Sequence, residues 1–139
     1  MRNRLLPLAA CAVFGLAFAA PAALAQSKTT MHFERGNDNA AATGTVKGNG
    51  YADYILGAKK GQTMSVAISV DKTDGNGTIY FNILPPGSTG EAIFNGSMDG
   101  DFGSVTLPKS GDYTVRVYLM GNDADTGKTV GYTLSVTIM

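Results

Sequence analysis

Residues that carry catalytic chemistry are scarce in this chain: one cysteine, one histidine and no tryptophan among 139 residues. Cys11 lies in an apolar N-terminal stretch. A domain that begins after that stretch has no disulfide and must be held together by its core alone. His32 has no second histidine to complete a zinc set, and its place early in "TMHFE" reads as a strand-end surface position rather than a general base. No G-x-S-x-G elbow offers a serine nucleophile. Glu34 and Glu91 fall in separate segments, while Asp99 and Asp101 sit in "MDGDFG", where Asp is favoured for bonding its own backbone. The expectation is a protein that is not an enzyme and that uses no cofactor and no metal.

The first residues read as a targeting segment. "MRNR" is a basic start, an apolar stretch follows, and Ala23 and Ala25 supply the A-x-A pattern of a signal-peptidase site before Gln26. Pro7, Gly15 and Pro21 interrupt the stretch, and no second apolar span follows, which disfavours a membrane anchor. The expected division is therefore a cleaved signal peptide, 1–25, and one exported domain, 26–139, placed in the periplasm. Residues 26–139 hold nine Lys/Arg and eleven Asp/Glu, a net charge of −2. Nucleic acid is not an expected partner, since no basic stripe is present. Nor is a membrane surface, since there is no polybasic cluster.

The pattern after residue 26 has period two, the mark of strands with one buried face. "QTMSVAISV" aligns Met64, Val66, Ile68 and Val70; "DYTVRVYL" aligns Tyr113, Val115, Val117 and Leu119; "GYTLSVTI" aligns Tyr132, Leu134, Val136 and Ile138. Shorter candidates are "TMHFE", "TGTVK", "DYILG", "TIYFNIL", "EAIFNGS" and "DFGSVTL". Residues 26 to about 30 are expected to be a frayed end. Short strands separated by Gly, Asn, Asp and Pro predict an all-β fold: a single antiparallel β-sandwich, or flattened barrel, of about eight or nine strands with no disulfide.

Three loops are acidic, "DKTDGNG", "DGD" and "NDADTG", but none has the glycine and glutamate spacing of a calcium-binding loop, and turn chemistry accounts for each. The connection after Met120 stands out. Alternation stops there and resumes at Val130, leaving 121–129 with no aliphatic residue beyond Ala124. Strand connections usually need about 2–5 residues, and longer loops on rigid sheets tend to carry binding function.

Several segments together resemble a known family. "DYILGAKKGQTMSVAIS" (53–69), "LPKSGDYTVRVYLM" (107–120), "NDA" (122–124) and the closing "YTLSVTI" look like the bacterial periplasmic inhibitors of goose-type lysozyme, and the opening "HFERG…TGTVKG" fits the same pattern. A weaker likeness, carried by "Y-x-L-x-A-x-x-G-Q", is to pre-peptidase C-terminal domains, which are secreted sandwich modules. The first resemblance implies a protein that binds a goose-type lysozyme and blocks its cleft through a long hairpin loop. The second leaves open a non-catalytic module that binds glycan or calcium.

In the inhibitor family the loop places an arginine on each side of Asn-Asp-Ala, suited to an acidic cleft. This chain has Gly121 and Asp125 there. The candidate partner-binding residues are Tyr51, Arg116, Tyr118, Gly121, Asn122, Asp123, Asp125 and Lys128. Lys128 or Arg116 could supply the missing charge, or the loops "KGNGY" and "LPPGSTGE" could carry binding, or the partner has changed. Assembly into a homodimer is left open, as is whether an edge strand would form it.

Overall fold

The period-two runs become strands with one buried face in the computed structural model, which describes residues 26–139. The expected signal segment 1–25 lies outside the described residues. The strands are β1 (Gln26–Thr30), β2 (Asn39–Lys47), β3 (Tyr51–Ala58), β4 (Thr63–Thr73), β5 (Ile79–Leu84), β6 (Phe94–Asn95), β7 (Phe102–Thr106), β8 (Gly111–Leu119) and β9 (Thr129–Ile138). Two short helices interrupt them, α1 (Gly96–Asp99) and α2 (Gly121–Asp125). One sheet has the order β1-β3-β8-β5-β6 and the other β2-β9-β4-β7. The two sheets face each other across one apolar core, the expected sandwich.

Alternation in β8 and β9 buries the residues it aligns. Tyr113, Val115 and Val117 of β8 and Leu134 and Val136 of β9 are fully enclosed. In β4 the alternation holds through Ile68 and then breaks. Val70 is 42% exposed at the last position before the register against β9 shifts, between Val70 and Lys72. Such a bulge adds a residue to one strand and disrupts the ladder locally.

Three expectations need correction. Residues 26–30 are not frayed; they pair with β3, from Gln26 opposite Tyr51 to Thr30 opposite Ile55. That pairing is parallel, so the sandwich is mostly rather than wholly antiparallel. Secondly, "TMHFE" contributes only Thr30 to a strand, because residues 31–36 carry the chain from the edge of one sheet toward β2 in the other. Thirdly, "EAIFNGS" shrinks to the two residues of β6 before α1 begins, where the Asn95 side chain accepts from the Ser97 N–H.

One polar pair lies inside the core. The hydroxyls of Tyr54 and Tyr132 are 2.6 Å apart, with their rings edge to face at 6.4 Å. Burial first, and the bond to Tyr54 second, push the Tyr132 hydroxyl far above its ordinary value, so it stays neutral. Gly44 of β2 lies over this pair. A Cβ there would sit 2.6 Å from the Tyr132 hydroxyl and 2.8 Å from its ring carbon Cζ. We therefore expect Gly44→Ala to destabilise the fold by about 1–3 kcal/mol through overpacking. In urea unfolding the midpoint should fall with the slope unchanged.

Candidate partner-binding surface

The long connection after Met120 turns out to be a crossing rather than a hairpin. β8 belongs to the five-stranded sheet and β9 to the four-stranded one, so residues 120–128 must span the gap of roughly 10 Å between packed sheets. The expected hairpin loop is thereby corrected, and its length follows from the distance it covers. Part of the crossing coils into α2, which Thr126 closes by donating its hydroxyl to the Asn122 carbonyl at 2.6 Å.

Asp123 fastens this crossing to the sandwich. It is fully buried, the one buried charged residue among those described. Its carboxylate accepts from the Asn76 N–H at 2.9 Å and from the Thr78 N–H at 2.8 Å, both in the β4–β5 connection. Those two bonds hold its pKa below the usual carboxylate range, against the opposing effect of desolvation. Gly75 makes the approach possible, since a Cβ there would lie 2.6 Å from Asp123 Oδ1. The same end is knitted further. Lys128 N–H donates to the Asp123 carbonyl, Gly48 N–H to the Lys128 carbonyl, and Thr129 N–H to Asp74 Oδ1. Three connections, 48–50, 74–78 and 120–128, therefore form one ordered end of the sandwich.

Of the candidate residues in the crossing, Gly121, Asn122 and Asp125 are exposed and Lys128 is half-buried. Asp123 was expected at the contact surface. It is instead turned inward, where it holds the crossing to the β4–β5 connection. Gly121 has φ +66°, a left-handed conformation in which an arginine would be strained.

The other candidates lie on the outer face of the five-stranded sheet, next to this end. Tyr118 of β8 is opposite Tyr51 of β3 on one side and Tyr80 of β5 on the other. Three half-buried tyrosines thus make a row across three strands, and the rings of Tyr80 and Tyr118 lie 5.9 Å apart. Below the row, Arg116 pairs with Asp53 through two bonds, Nε at 2.8 Å and Nη2 at 2.9 Å. Its guanidinium carbon stands 4.3 Å from the centre of the Tyr51 ring. The bond to Asp53 raises the Arg116 pKa further. Arg116 is thus already neutralised by its own sheet and acts to position Tyr51 rather than to offer a free cation. Tyr118 donates its hydroxyl to Asn82 Oδ1 at 2.7 Å, which fixes its ring.

Tyr80 belongs to this row, yet sequence reading did not find it. "TIYFNIL" shows that Tyr80 faces away from Ile79 and Phe81, but only cross-strand register shows which residues it joins. The loops 48–50 and 85–91, both considered for binding, lie at opposite ends: the first beside α2, the second beyond the far end of β5. In the acidic loops, Asp74 and Asp123 accept backbone N–H groups and Asp71 accepts the Thr133 hydroxyl at 2.7 Å. Among the described residues no group of three or more His, Cys, Asp or Glu could hold a metal ion.

No protein-family model matches the chain. It is 33% identical over 114 residues to the inhibitor of g-type lysozyme of Escherichia coli K12, covering 82% of this chain and 83% of that protein. The chain belongs to the family of g-type lysozyme inhibitors. The structures agree. PliG of Aeromonas hydrophila, a periplasmic inhibitor of g-type lysozyme, superposes with a TM-score of 0.73 at 34% identity, covering 82% of this chain and 97% of that one. PliG of Salmonella Typhimurium gives 0.65 at 28% identity, with 81% and 98% covered. A pre-peptidase C-terminal domain of a Bacillus anthracis collagenase, 14% identical with a TM-score of 0.54, shares the sandwich fold alone.

In this member of the inhibitor family, the support given by Asp123 should be visible in the pH dependence of stability. Because the folded carboxylate has the lower pKa, its contribution is complete above the ordinary aspartate value of about 3.9 and is lost as pH falls through the folded value. Asp123→Asn, whose amide cannot accept from both N–H groups, is expected to be less stable at neutral pH. The gap from the natural protein should narrow as the medium is acidified below that range. Thermal unfolding of both proteins across a pH series checks this.

Proposed function

We propose that this protein binds a g-type lysozyme in the periplasm and blocks it. The observation that carries this reading is the relationship to the Escherichia coli inhibitor over most of both chains. The relatives of known structure are periplasmic inhibitors, which suits an exported, binding-only protein. The contact surface in this reading is the ordered end formed by α2 together with the tyrosine row Tyr51, Tyr118 and Tyr80. Rigid aromatic side chains bury a large area at a low entropy cost, and such residues commonly anchor interfaces.

The charge of the site shapes how it can bind. Arg116 is paired with Asp53, Lys128 is half-buried, and Asp125 is exposed. Contact therefore depends on aromatic surface and on hydrogen bonds from Asn122 and the tyrosine hydroxyls, not on projecting cations. An acidic cleft would meet Asp125 with repulsion.

The test is lysis by a g-type and a chicken-type lysozyme with added residues 26–139. The natural sequence should inhibit the g-type enzyme. Tyr118→Ala and Tyr51→Ala should each weaken inhibition by about 30-fold, the size of an interface hot spot of roughly 2 kcal/mol. Lys60→Ala, at the far end of the sandwich, should change nothing, while Asp125→Arg should tighten inhibition. A folded protein with no effect on the g-type enzyme would overturn the reading. An equal loss from Lys60→Ala would place the contact elsewhere.

A further inference from the structure

β2 forms one edge of the four-stranded sheet, and two bonds at its ends reveal which of its backbone groups are in use. Ile138 N–H donates to the Asp38 carbonyl at 2.9 Å, and Gly48 N–H donates to the Lys128 carbonyl at 2.9 Å. Both pairs continue the antiparallel register of β2 with β9. In such a ladder alternate residues exchange bonds with the neighbour. Ala40, Ala42, Gly44 and Val46 are therefore bonded to β9. Asn39, Ala41, Thr43 and Thr45 turn their N–H and C=O groups to the open edge. All four are exposed, and among the described residues no backbone or side-chain group answers these atoms.

Natural sheet edges usually carry a defence: a short strand, a proline, a bulge or an inward charge. The other edges here are short: β1 and β7 have five residues each and β6 has two. β2 has nine residues, no proline, no register shift and no charge before Lys47. It is also self-complementary. A two-fold axis at Ala42 would set Asn39 of one copy opposite Thr45 of the other, and Ala41 opposite Thr43. All four open positions then pair at once, giving about eight backbone bonds. On the inward side Ala40 would face Gly44, and Ala42 its own counterpart, so nothing larger than a methyl group crowds the axis.

We propose that a second copy of this chain pairs antiparallel with β2 about Ala42, joining the four-stranded sheets of two sandwiches into one continuous eight-stranded sheet. The partner is the same protein because the edge matches itself in small side chains and open backbone groups.

Sedimentation velocity of residues 26–139, from low to high micromolar concentration, tests this without any lysozyme present. The natural sequence should pass from monomer to dimer over that range. Thr43→Pro removes an outward N–H that the monomer does not use, and Thr43→Lys adds a charge to the edge. Each should weaken association by about tenfold or more, with the thermal midpoint of the dilute monomer little changed. Thr43→Lys keeps the test valid should the proline variant fold poorly. A natural protein that stays monomeric throughout would overturn the proposal. So would a dimer that both variants leave intact, because it would have to use another surface.

Discussion

The carboxylate of Asp123, enclosed at the top of the sandwich, accepts two backbone N–H groups from a loop some forty-five residues earlier in the chain. A buried charge with no hydrogen bonds is strongly unfavourable, and a carboxylate that accepts several is stabilised in its ionised form. The crossing from β8 to β9 therefore cannot swing free without exposing or orphaning that charge. Asn122 and Asp125 flank it on α2, so their presentation to solvent depends on Asp123 staying in place. The order of this end comes from the interior, while Asn122 and Asp125 stay exposed.

A second constraint is the path of the chain between sheets. β8 is the central strand of the five-stranded sheet and β9 an inner strand of the other, so the crossing joins two inner strands. Tyr118 leaves the outer face of β8 just before the crossing begins, which sets the tyrosine row at the same end of the sandwich as α2. Arg116 is part of the same construction. Its fork of two bonds to Asp53 ties β8 to β3, while its flat guanidinium supports the Tyr51 ring. Removing it would loosen Tyr51 as much as it would remove a charge.

Much of the sandwich was legible in the sequence, because burial of alternate residues leaves a direct trace. Val115, Val117, Leu134 and Val136 are where alternation places them. What alternation does not encode is partnership. "QSKTT" has no apolar face, so β1, held by backbone bonds alone, carried no such signal. Nothing in residues 112–138 says that consecutive strands lie in different sheets, so the crossing read as a hairpin. Tyr80 could be assigned an outward face but not its neighbours. Asp123 sits in a polar run where burial leaves no mark. The nearest clue was "GNG" (75–77), whose first glycine makes room for the carboxylate. The family likeness supplied the partner class, while Gly121 and Asp125 stand where that likeness implies arginines.

The most direct measurement is hydrogen–deuterium exchange of residues 26–139, with and without a g-type lysozyme. The account predicts slower exchange on complex formation in 48–51, 76–80 and 118–128, with 59–62, 85–91 and 107–110 unchanged. Protection confined to those far-end segments, with none around α2 and the tyrosine row, would contradict it.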